Sequence, residues 1–588
     1  MILLTTLNSK YIHTSLALFS LQAYCRREFD QIVVEEFNIN QDLGWILGEI
    51  YKCRPQVLGI STNIWNILPS LELVEWVKKI LPETIIILGG PEAAADAAGI
   101  LRRAEAPDYI IIGEGEATLL ELLRNLRTGE GNPAEIKGLA FTDGEELVFT
   151  PPRPPLALES IPFPYDNLSA FRNRLVYYES SRGCPFNCAY CLSGWEKSQI
   201  RYLPTERVKK DLVKFIEAGI PTVKLIDRTF NIHRQRALEI MEFIATQEGN
   251  TEFHLEMVGE LMDEEMISLL NQAPRGRFRV EIGVQSTYEP ALSAVNRRYN
   301  LERLKTNCLA LTKEKRVTVH LDLIAGLPFE GLDSFSRSFD WTYRLKPDEL
   351  QVGFLKLLKG SPLRDKAEEY GYLYTETPPY EILQNKWLSY QELLHLKMVE
   401  EMVGKFFNSG HFHHTLAFVL KDEEVSPWEF FSTLAQYWEK NDLAQRGLKQ
   451  SVLFNQLWNF LELTITKWDL TGEKEQLRDL LTFDYYLSGA GGAAPAWLSP
   501  QSKLWREAIK AQLKEAGQPQ HIFLQQGLKV KSSELRRRMI LLNLSINPET
   551  GEKGSFPVLI YPPAQGRPSW FKLPLSITQI QRATGEKK

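Results

Sequence analysis

The chain has 588 residues, of which 44% are apolar and 24% charged, a composition that excludes disorder as its main state. At roughly 100–200 residues per domain, this length predicts three or four domains. The 68 basic and 74 acidic side chains give a net charge of −6, so neither nucleic acid nor an anionic membrane is an expected partner. Without a run of about 18 apolar residues or a recognisable secretory leader, the sequence predicts a cytoplasmic protein that does not cross a membrane.

Short apolar runs alternate with helical patterns through residues 1–135. This alternation favours an α/β fold with a doubly wound, Rossmann-like parallel sheet. Ligands of such sheets bind beyond the carboxyl ends of the strands. The expected strands are Ile2–Leu7, Gln31–Glu36, Val57–Thr62, Thr84–Gly89 and Tyr109–Ile112.

A second α/β region is expected after a break in the pattern. Residues 151–164 contain six prolines, which cannot continue a helix or a central strand, so we predict a Pro-rich linker over residues 136–170. Six strand–helix repeats then predict a partial or full β/α barrel over residues 171–370, with catalytic groups at the carboxyl ends of its strands. Its expected strands are Val176–Glu179, Thr222–Ile226, Phe253–Val258, Arg279–Val284, Thr318–Ile324 and Glu349–Leu355.

Residues 371–588 show a mixed pattern that predicts a C-terminal helical and α+β domain. His411, His413 and His414 are interpreted as part of a polar loop rather than a metal site, because adjacent histidines rarely bind one ion together. The expected elements are helices at Glu381–Phe407 and Val452–Thr464, and strands at Ile522–Gln525, Met539–Leu544 and Pro557–Tyr561.

Three of the six cysteines, Cys184, Cys188 and Cys191, crowd into eight residues directly after the first expected barrel strand. The other three cysteines are scattered along the chain, which favours a protein of a reducing compartment over a disulfide-stabilised one. Three thiolates on one loop can bind three irons of a [4Fe–4S] cube, which leaves the fourth iron open to an outside ligand. Two alternatives remain: a zinc ion, for which the loop lacks a histidine as fourth ligand, and an electron-transfer cluster, which ordinarily has a fourth cysteine.

The spacing Cys-x3-Cys-x-aromatic-Cys resembles the signature of the radical S-adenosylmethionine (SAM) superfamily, with Tyr190 as the aromatic residue near the adenine. The resemblance implies that SAM binds the open iron through its amino and carboxylate groups. Reduction would then cleave SAM to methionine and a 5′-deoxyadenosyl radical, which takes hydrogen from a substrate. An external electron donor of the flavodoxin or ferredoxin type is implied as the partner.

Two later barrel segments fit the same resemblance. Strand four ends in Gly283-Val-Gln285-Ser286, similar to the Gly-x-Gln/Glu-Ser segment that contacts SAM in the family. Strand five ends in Gly326-Leu-Pro328-Phe-Glu, similar to a Gly-x-Pro-Gly-Glu turn beside the adenine, with phenylalanine in place of the second glycine.

One further carboxylate, Glu260, follows strand three. It is interpreted either as a contact to the ribose or amino group of SAM or as a solvated turn carboxylate.

The N-terminal domain resembles the cobalamin-binding domain of B12-dependent radical SAM proteins. The resemblance rests on Ser61, Gly89, Gly90 and the turn Gly113–Glu116, of which Gly113 and Glu116 are candidate contacts. Small residues at strand ends would let the nucleotide tail of cobalamin lie against the sheet, and the turn opens a helix with free N–H donors.

The domain departs from the corrinoid pattern in one respect. The motif Asp-x-His-x-x-Gly, whose histidine ligates cobalt in many corrinoid domains, is absent. His13 is the nearest candidate ligand, with a histidine at a helix start as the alternative. Two other interpretations remain. Cobalamin could bind without a protein ligand beneath the cobalt, or the domain could serve packing alone.

The resemblance as a whole implies a cobalamin-dependent radical SAM enzyme with a [4Fe–4S] cluster, SAM and cobalamin as cofactors. Methyl transfer to an unactivated carbon is the leading hypothesis for its reaction. The alternatives are a radical SAM enzyme that does not use cobalamin and a non-catalytic iron–sulfur or corrinoid-binding protein. The C-terminal region resembles an extension found after this pair of domains, which is expected to close the barrel.

Overall fold

The computed structural model describes the protein as two compact units, Met1–Leu393 and Leu394–Lys588. Among the described residues, no helix is both long enough and apolar enough to cross a bilayer. The described residues are 1–129, 131–194, 199–421, 425–444, 447–490, 495–498, 540–561 and 568–572.

The first unit begins with an α/β domain that contains a seven-stranded sheet. The strands are β1 (Ile2–Asn8), β2 (Ile32–Asn38), β3 (Val57–Ser61), β4 (Ile85–Gly89), β5 (Tyr109–Ile111), β6 (Leu139–Asp143) and β7 (Glu146–Phe149). The helices are α1 (Leu16–Cys25), α2 (Leu43–Cys53), α3 (Ile67–Ile80), α4 (Pro91–Ala95), α5 (Ala97–Leu101) and α6 (Gly115–Thr128). The strand order is β2-β1-β3-β4-β5-β6-β7, with the first five strands parallel, which confirms the predicted doubly wound sheet.

The last two strands of this sheet, β6 and β7, lie in residues where a linker is expected. They pair antiparallel with β5 and with each other. Leu139 and Ala140 are buried, and Gly144 takes a positive φ of 62° in the tight turn between the strands. Asp143-Gly144 is a hairpin signal, and the proline-rich stretch begins only after Phe149.

The order of the parallel strands fixes where this sheet can bind a ligand. In the order 2-1-3-4-5 the connections reverse direction between β1 and β3, and a crevice opens there at the carboxyl edge. The buried side chain of Asn66 closes the base of this crevice, since its Nδ2 donates to Thr6 Oγ1 and to the carbonyls of Leu7 and Ser61, each at 3.1 Å.

The second part of the first unit is a partial β/α barrel, which confirms that prediction. The strands are β8 (Leu175–Tyr178), β9 (Ser181–Arg182), β10 (Arg201–Tyr202), β11 (Thr222–Leu225), β12 (Glu252–Glu256), β13 (Phe278–Gln285), β14 (Thr318–Ala325) and β15 (Glu349–Phe354). The helices are α7 (Thr205–Glu217), α8 (Arg234–Thr246), α9 (Glu264–Gln272), α10 (Glu289–Ala294), α11 (Leu301–Lys313) and α12 (Leu332–Tyr343). Six strands form the parallel wall β15-β14-β13-β12-β11-β8, and β9 pairs with β10.

Both edges of the open barrel are bound by the N-terminal domain. At β8, Leu175 donates its N–H to the carbonyl of Ile12 at 2.8 Å, so the loop after β1 extends the barrel wall. Beyond β15, the Tyr380 hydroxyl donates to Glu92 at 2.7 Å, and Lys359 lies 2.6 Å from Asp96. The carboxyl edge of the N-terminal sheet therefore lies against the opening of the barrel.

The chain then forms α13 (Pro362–Asp365), β16 (Leu373–Tyr374), β17 (Ile382–Gln384) and α14 (Tyr390–Met402). The helix expected from Glu381 thus begins only at Tyr390. Ser389 and Glu392 form a capping box there: Ser389 N–H donates to Glu392 Oε2 at 2.8 Å, and Glu392 N–H donates to Ser389 Oγ at 3.3 Å. The cap sets the start of the helix.

The second unit combines helices with an antiparallel sheet, as the mixed pattern predicts. Phe483 packs with strand residues such as Leu544 and Val558 in its core. Of the expected strands, Ile522–Gln525 and the first residue of Met539–Leu544 lie outside the described residues. The further elements are α15 (His413–Val419), α16 (Pro427–Lys440), α17 (Gln450–Thr464), α18 (Lys474–Leu487), β18 (Ile540–Ile546), β19 (Lys553–Tyr561) and β20 (Ser569–Lys572).

Two of the three clustered histidines, His413 and His414, begin helix α15 and do not lie in the predicted polar loop. His414 Nδ1 lies 2.7 Å from Asp484 Oδ1, at the start of α15. No group of three or more His, Cys, Asp or Glu side chains in the described ranges is arranged to hold one ion.

Candidate active site at the mouth of the barrel

The cysteine loop, residues 183–191, follows β9 and is anchored by backbone contacts. Ala189 donates its N–H to the carbonyl of Val295 at 3.0 Å and accepts from Leu363 N–H at 2.8 Å. Gly183 turns the chain into the loop with a φ of 109°. Segments that are distant in sequence therefore hold the loop in place.

The three thiols share a poorly solvated site. Cys188 is buried, and Cys184 and Cys191 are half-buried. Burial raises the pKa of the Cys184 thiol. Hydrogen bonds from the Phe186 N–H and the Thr229 side chain favour the thiolate, but their effect is smaller. A thiol in such a site becomes a thiolate when it binds a metal. Three thiols on one short loop match the donor set of a [4Fe–4S] cube, in which each cysteine binds a different iron.

Arg297, which the sequence reasoning missed, connects the cysteine loop to β13. Its Nη1 lies 2.9 Å from the Tyr190 hydroxyl and 3.8 Å from Cys188 Sγ, and its Nη2 donates to the Gly283 carbonyl at 2.7 Å. The Tyr299 hydroxyl donates to the same carbonyl at 2.7 Å. Among the described residues, Arg297 Nε is buried without a partner, which leaves one donor for the carboxylate of a ligand. The only sequence signal was a pair of arginines shortly after strand four.

Gly283 and Gln285 lie where the chain of β13 is irregular. Gln285 has a positive φ of 69°, and the pairing with β14 shifts register between the two residues. A Cβ on Gly283 would lie 2.1 Å from Gln285 Nε2, so a larger residue here would displace the end of the Gln285 side chain. Ser286 is instead fully buried, and its hydroxyl donates to Glu330 at 2.6 Å. Ser286 therefore stabilises the end of β13 through Glu330.

The strand-five turn explains how phenylalanine replaces the family's glycine. Phe329 has a positive φ of 67°, the conformation that glycine adopts most easily, and its ring packs on Trp387 with centroids 4.6 Å apart. Gly326 also has a positive φ, and a Cβ there would lie 2.0 Å from Ile382 Cδ1. Pro328 is buried within the turn.

Glu330 is a buried carboxyl group whose protonation depends on folding. Burial raises its pKa from 4.5 to about 7, although Ser286 and Ser338 donate to it. The folded state therefore holds a proton that the unfolded chain loses above pH 4.5. We expect stability to fall by about 3 kcal/mol as the pH rises from 4.5 to about 7.

Glu330→Gln, which imitates the protonated acid, removes this pH dependence. Urea unfolding of both proteins between pH 5 and 8 tests the prediction: the difference in unfolding free energy should move in favour of the variant as the pH rises. Parallel pH profiles would show that Glu330 ionises normally.

Glu260 has a structural partner at the start of α11. Its Oε2 accepts the N–H of Asn300 at 2.5 Å, and the Asn300 side chain caps the helix. The carboxylate thus supports a helix start in this structure.

At the carboxyl edge of the N-terminal sheet, glycines allow close approach of the backbone. Thr62 N–H donates to the Gly89 carbonyl at 2.7 Å, directly after Ser61. Gly90 has a φ of 104°, and a Cβ there would lie 2.2 Å from the Thr62 carbonyl oxygen. Gly113 has a φ of 84° but faces open space.

These two glycines give a matched pair of variants. Gly90→Ala forces a clash with rigid backbone, and we expect it to destabilise the first unit by about 2–4 kcal/mol. Gly113→Ala introduces backbone strain alone, and we expect a cost of about 1–2 kcal/mol. Thermal unfolding measures both, and equal losses would contradict the close approach at Gly90.

An apolar rim surrounds the crevice between β1 and β3. Tyr11 and Ile12 follow β1, Trp65 follows β3, and their side chains are exposed by 71%, 48% and 45%. Such a rim at a ligand-binding edge fits a large cofactor that covers it.

His13 and Glu116 have partners in the barrel. His13 Nδ1 lies 2.7 Å from the hydroxyl of Tyr177 on β8, and burial lowers the pKa of His13. Glu116 lies 2.8 Å from Arg182, shortly before the cysteine loop.

The barrel lumen is lined by charged side chains. Lys224 Nζ lies 2.8 Å from Glu281 and 3.0 Å from Glu256, and His254 Nε2 lies 2.8 Å from Glu281. Burial opposes the charge on Glu281, but His254 and Lys224 outweigh it and lower its pKa to about 2. A polar wall therefore faces any substrate in the lumen.

Comparison with known families assigns three regions of the chain. The B12 binding domain matches residues 2–123, the radical SAM superfamily matches residues 178–342, and a protein family of unknown function, DUF4080, matches residues 368–556. The first region contains the parallel N-terminal sheet, and the second contains the cysteine loop.

Two of the relatives that this chain resembles in sequence are named as methyltransferases. The chain is 26% identical to the cobalamin-dependent radical SAM methyltransferase TokK of Streptomyces tokunonensis, over 55% of this chain and 51% of TokK. It is 28% identical to an uncharacterised methyltransferase of Pyrococcus horikoshii, over 38% of this chain and 51% of that protein. The chain thus spans about half the length of these relatives.

Solved structures share the fold at low sequence identity. The cobalamin-dependent SAM radical enzyme OxsB with aqua-cobalamin bound has a TM-score of 0.58 at 18% identity, covering 88% of this chain and 81% of OxsB. The methyltransferase TsrM from Kitasatospora setae, with cobalamin and a [4Fe–4S] cluster bound, has a TM-score of 0.54 at 17% identity, covering 64% and 78%.

The matched domains imply the cofactors: a [4Fe–4S] cluster and SAM for the radical SAM domain, and cobalamin for the B12-binding domain. At the cysteine loop, three thiols and the unpartnered Nε of Arg297 fit a cluster and SAM. At the carboxyl edge of the N-terminal sheet, glycines leave room for cobalamin. The chain therefore combines a B12-binding domain, a domain of the radical SAM superfamily and a C-terminal DUF4080 region.

Proposed function

We propose that this protein is a cobalamin-dependent radical SAM enzyme that transfers a methyl group to an unactivated carbon. One observation carries the proposal: a three-thiol loop at the mouth of a barrel and the open carboxyl edge of a 2-1-3-4-5 sheet belong to one compact unit. When bound, the cluster and SAM supply a carbon-centred radical, and cobalamin supplies a methyl group. The names of TokK and TsrM as methyltransferases support this reaction.

The proposed cluster ligands are Cys184, Cys188 and Cys191. Arg297 beside them offers a fixed cation and a free N–H for the carboxylate of SAM. Ser286 acts indirectly, through its buried bond to Glu330. The residues proposed to line the SAM site are Tyr190, Gly283, Gln285, Gly326 and Pro328.

The proposed cobalamin site is the crevice at the edge of the N-terminal sheet. The Tyr177 hydroxyl engages Nδ1 of His13, so His13 could meet the cobalt only through its Nε2. Cobalamin would cover the apolar rim after β1 and β3 and shield its exposed side chains from water. The residues proposed to approach cobalamin are Ser61, Gly89, Gly90 and Gly113.

The lumen indicates the character of the substrate. Lys224 and Glu281 keep their charges because they pair with each other and with Glu256 and His254. A wall of this kind binds polar groups and disfavours an entirely apolar molecule. We infer a substrate with hydrogen-bonding groups near the methylated carbon.

An external one-electron donor of the flavodoxin or ferredoxin type is part of the proposal. The tip of the cysteine loop, Pro185 to Asn187, is exposed in the described first unit. A small electron carrier can approach the cluster there.

Products from labelled SAM test the proposal. The full-length protein, reconstituted anaerobically with iron, sulfide and hydroxocobalamin, is given dithionite and SAM with a trideuterated methyl group. We expect both S-adenosylhomocysteine, with the trideuterated methyl group transferred to cobalamin, and 5′-deoxyadenosine. 5′-Deoxyadenosine alone would indicate a radical SAM enzyme that does not use cobalamin, and neither product, with the cluster intact, would indicate a binding protein without turnover.

A further inference from the structure

A charged cluster joins the N-terminal domain to the strand that enters the cysteine loop. Glu114 and Glu116 open helix α6 directly after β5, at the carboxyl edge of the N-terminal sheet. Arg182 stands two residues before Cys184. Arg182 Nη2 lies 2.8 Å from Glu116 and 2.7 Å from Glu179, and its Nη1 lies 3.4 Å from Glu114.

A second arginine completes the cluster. Arg201 pairs with Arg182 in the β9–β10 ladder and binds Glu114. Glu114 also accepts the N–H of Leu156, in the Pro-rich segment, at 2.9 Å. Three carboxylates and two guanidiniums thus converge at one junction, and all five side chains are at most 22% exposed. Ion pairs with this little exposure are screened far less than surface pairs.

The barrel holds the same strand from the opposite side. The buried Asp227 accepts the N–H groups of Ser180 and Ser181 at 2.7 and 3.0 Å, and Arg236 donates to the Ser180 carbonyl at 3.0 Å. The strand before Cys184 therefore has two sets of partners, one from the barrel and one from the N-terminal domain. Only the second set would respond to events at the N-terminal sheet.

The turn that carries Glu114 and Glu116 also borders the proposed cobalamin site. Strand β5 pairs with β4, which ends in Gly89, and Gly113 between β5 and α6 faces open space. A ligand on this edge would touch the same short turn whose carboxylates hold Arg182. The turn between β5 and α6 would thus contact cobalamin on one side and, through Arg182, the strand that enters the cysteine loop.

We propose that Arg182 is a positioning residue that couples the two cofactor sites, so that cobalamin binding and cluster binding strengthen each other. The inference rests on the proposed cobalamin site and adds an interaction between it and the cluster. Coupling between two binding equilibria is reciprocal, and its usual size is about 5–150-fold in affinity. Cobalamin should therefore bind more tightly to the cluster-loaded chain, and the cluster should be lost more slowly from the cobalamin-loaded chain.

The test measures hydroxocobalamin affinity of the full-length chain with and without its cluster. We expect at least a five-fold difference in the parent protein and less than a two-fold difference in Glu116→Gln and in Arg182→Gln. Glu116→Gln leaves Arg182 paired with Glu179, so it is the variant that keeps the fold if Arg182→Gln does not. The reverse measurement is the rate at which a ferrous chelator removes iron, with and without hydroxocobalamin.

The matched control is Arg153→Gln. Arg153 Nη1 lies 3.0 Å from Glu121 on the same helix α6, but the pair does not involve the strand before Cys184. This variant should keep the parent ratio. If Glu116 instead contacts cobalamin directly, Glu116→Gln will weaken binding to both forms equally and keep the ratio, which would overturn the coupling.

The remaining outcomes separate this inference from the proposed function. Equal affinity of the parent chain with and without its cluster would overturn the coupling and leave the cobalamin site intact. No hydroxocobalamin binding by either form would overturn the cobalamin site itself, and the coupling with it.

Discussion

Cys188→Ala will lose the cluster and, with it, all formation of 5′-deoxyadenosine from SAM. The thiol is buried in the cysteine loop, and the loop has only two further cysteines. Two thiolates leave two irons of the cube without protein ligands, and such a cluster is not retained. Iron and sulfide content, the electron paramagnetic resonance (EPR) spectrum of the reduced protein and chromatography of the nucleoside product measure the effect.

Cys53→Ala is the matched control for this variant. Cys53 is exposed at the end of α2, in the N-terminal domain. It should keep the iron content and the product yield of the parent protein. A Cys188→Ala protein with the full complement of iron and sulfide would contradict the assignment of the loop as the cluster site.

Arg297→Gln will keep the cluster but use SAM poorly. The guanidinium spans Tyr190, Cys188 and Gly283, and its unpartnered Nε is proposed to meet the carboxylate of SAM. A hydrogen bond to a charged group contributes about 1.5–3 kcal/mol, so kcat/KM for SAM should fall by about 10–150-fold. Cleavage of SAM in the presence of dithionite gives the rate, and the EPR spectrum verifies the cluster.

Arg298→Gln provides the comparison, since Arg298 is the next residue and is exposed. It removes the same charge from an exposed side chain, and its kcat/KM should stay close to that of the parent protein. Equal losses in the two variants would mean that Arg297 acts through general electrostatics and not through contact.

The sequence was most informative where function depends on neighbours along the chain. The spacing of Cys184, Cys188 and Cys191 is a local pattern, and so is the alternation of buried strands with helices in both α/β regions. These features were predicted because each of them is contained in a short segment.

The residues that sequence reasoning missed act across long distances in the chain. Arg297 and Cys188 are 109 positions apart, and Arg182 and Glu116 are 66 positions apart. The sequence presents Glu116 only as a candidate cobalamin contact, as part of a turn that opens a helix with free N–H donors. Its pairing with Arg182 depends on how the N-terminal domain lies against the barrel, which no local pattern contains.

Other differences have a competing local cause. The β6–β7 hairpin lies in the predicted linker because the Asp143-Gly144 turn precedes the prolines. The helix expected from Glu381 starts later because Ser389 and Glu392 cap it. In both cases the element boundary follows a specific turn or capping residue and not the average composition of the segment.

The most direct test of the central claim is the response of the cluster to SAM in anaerobically isolated protein. The isolated protein should contain about four irons and four sulfides per chain, and the EPR signal of its reduced cluster should change when SAM is added, because SAM occupies the open iron. Zinc in place of iron, or a cluster whose signal is unaffected by saturating SAM, would contradict it.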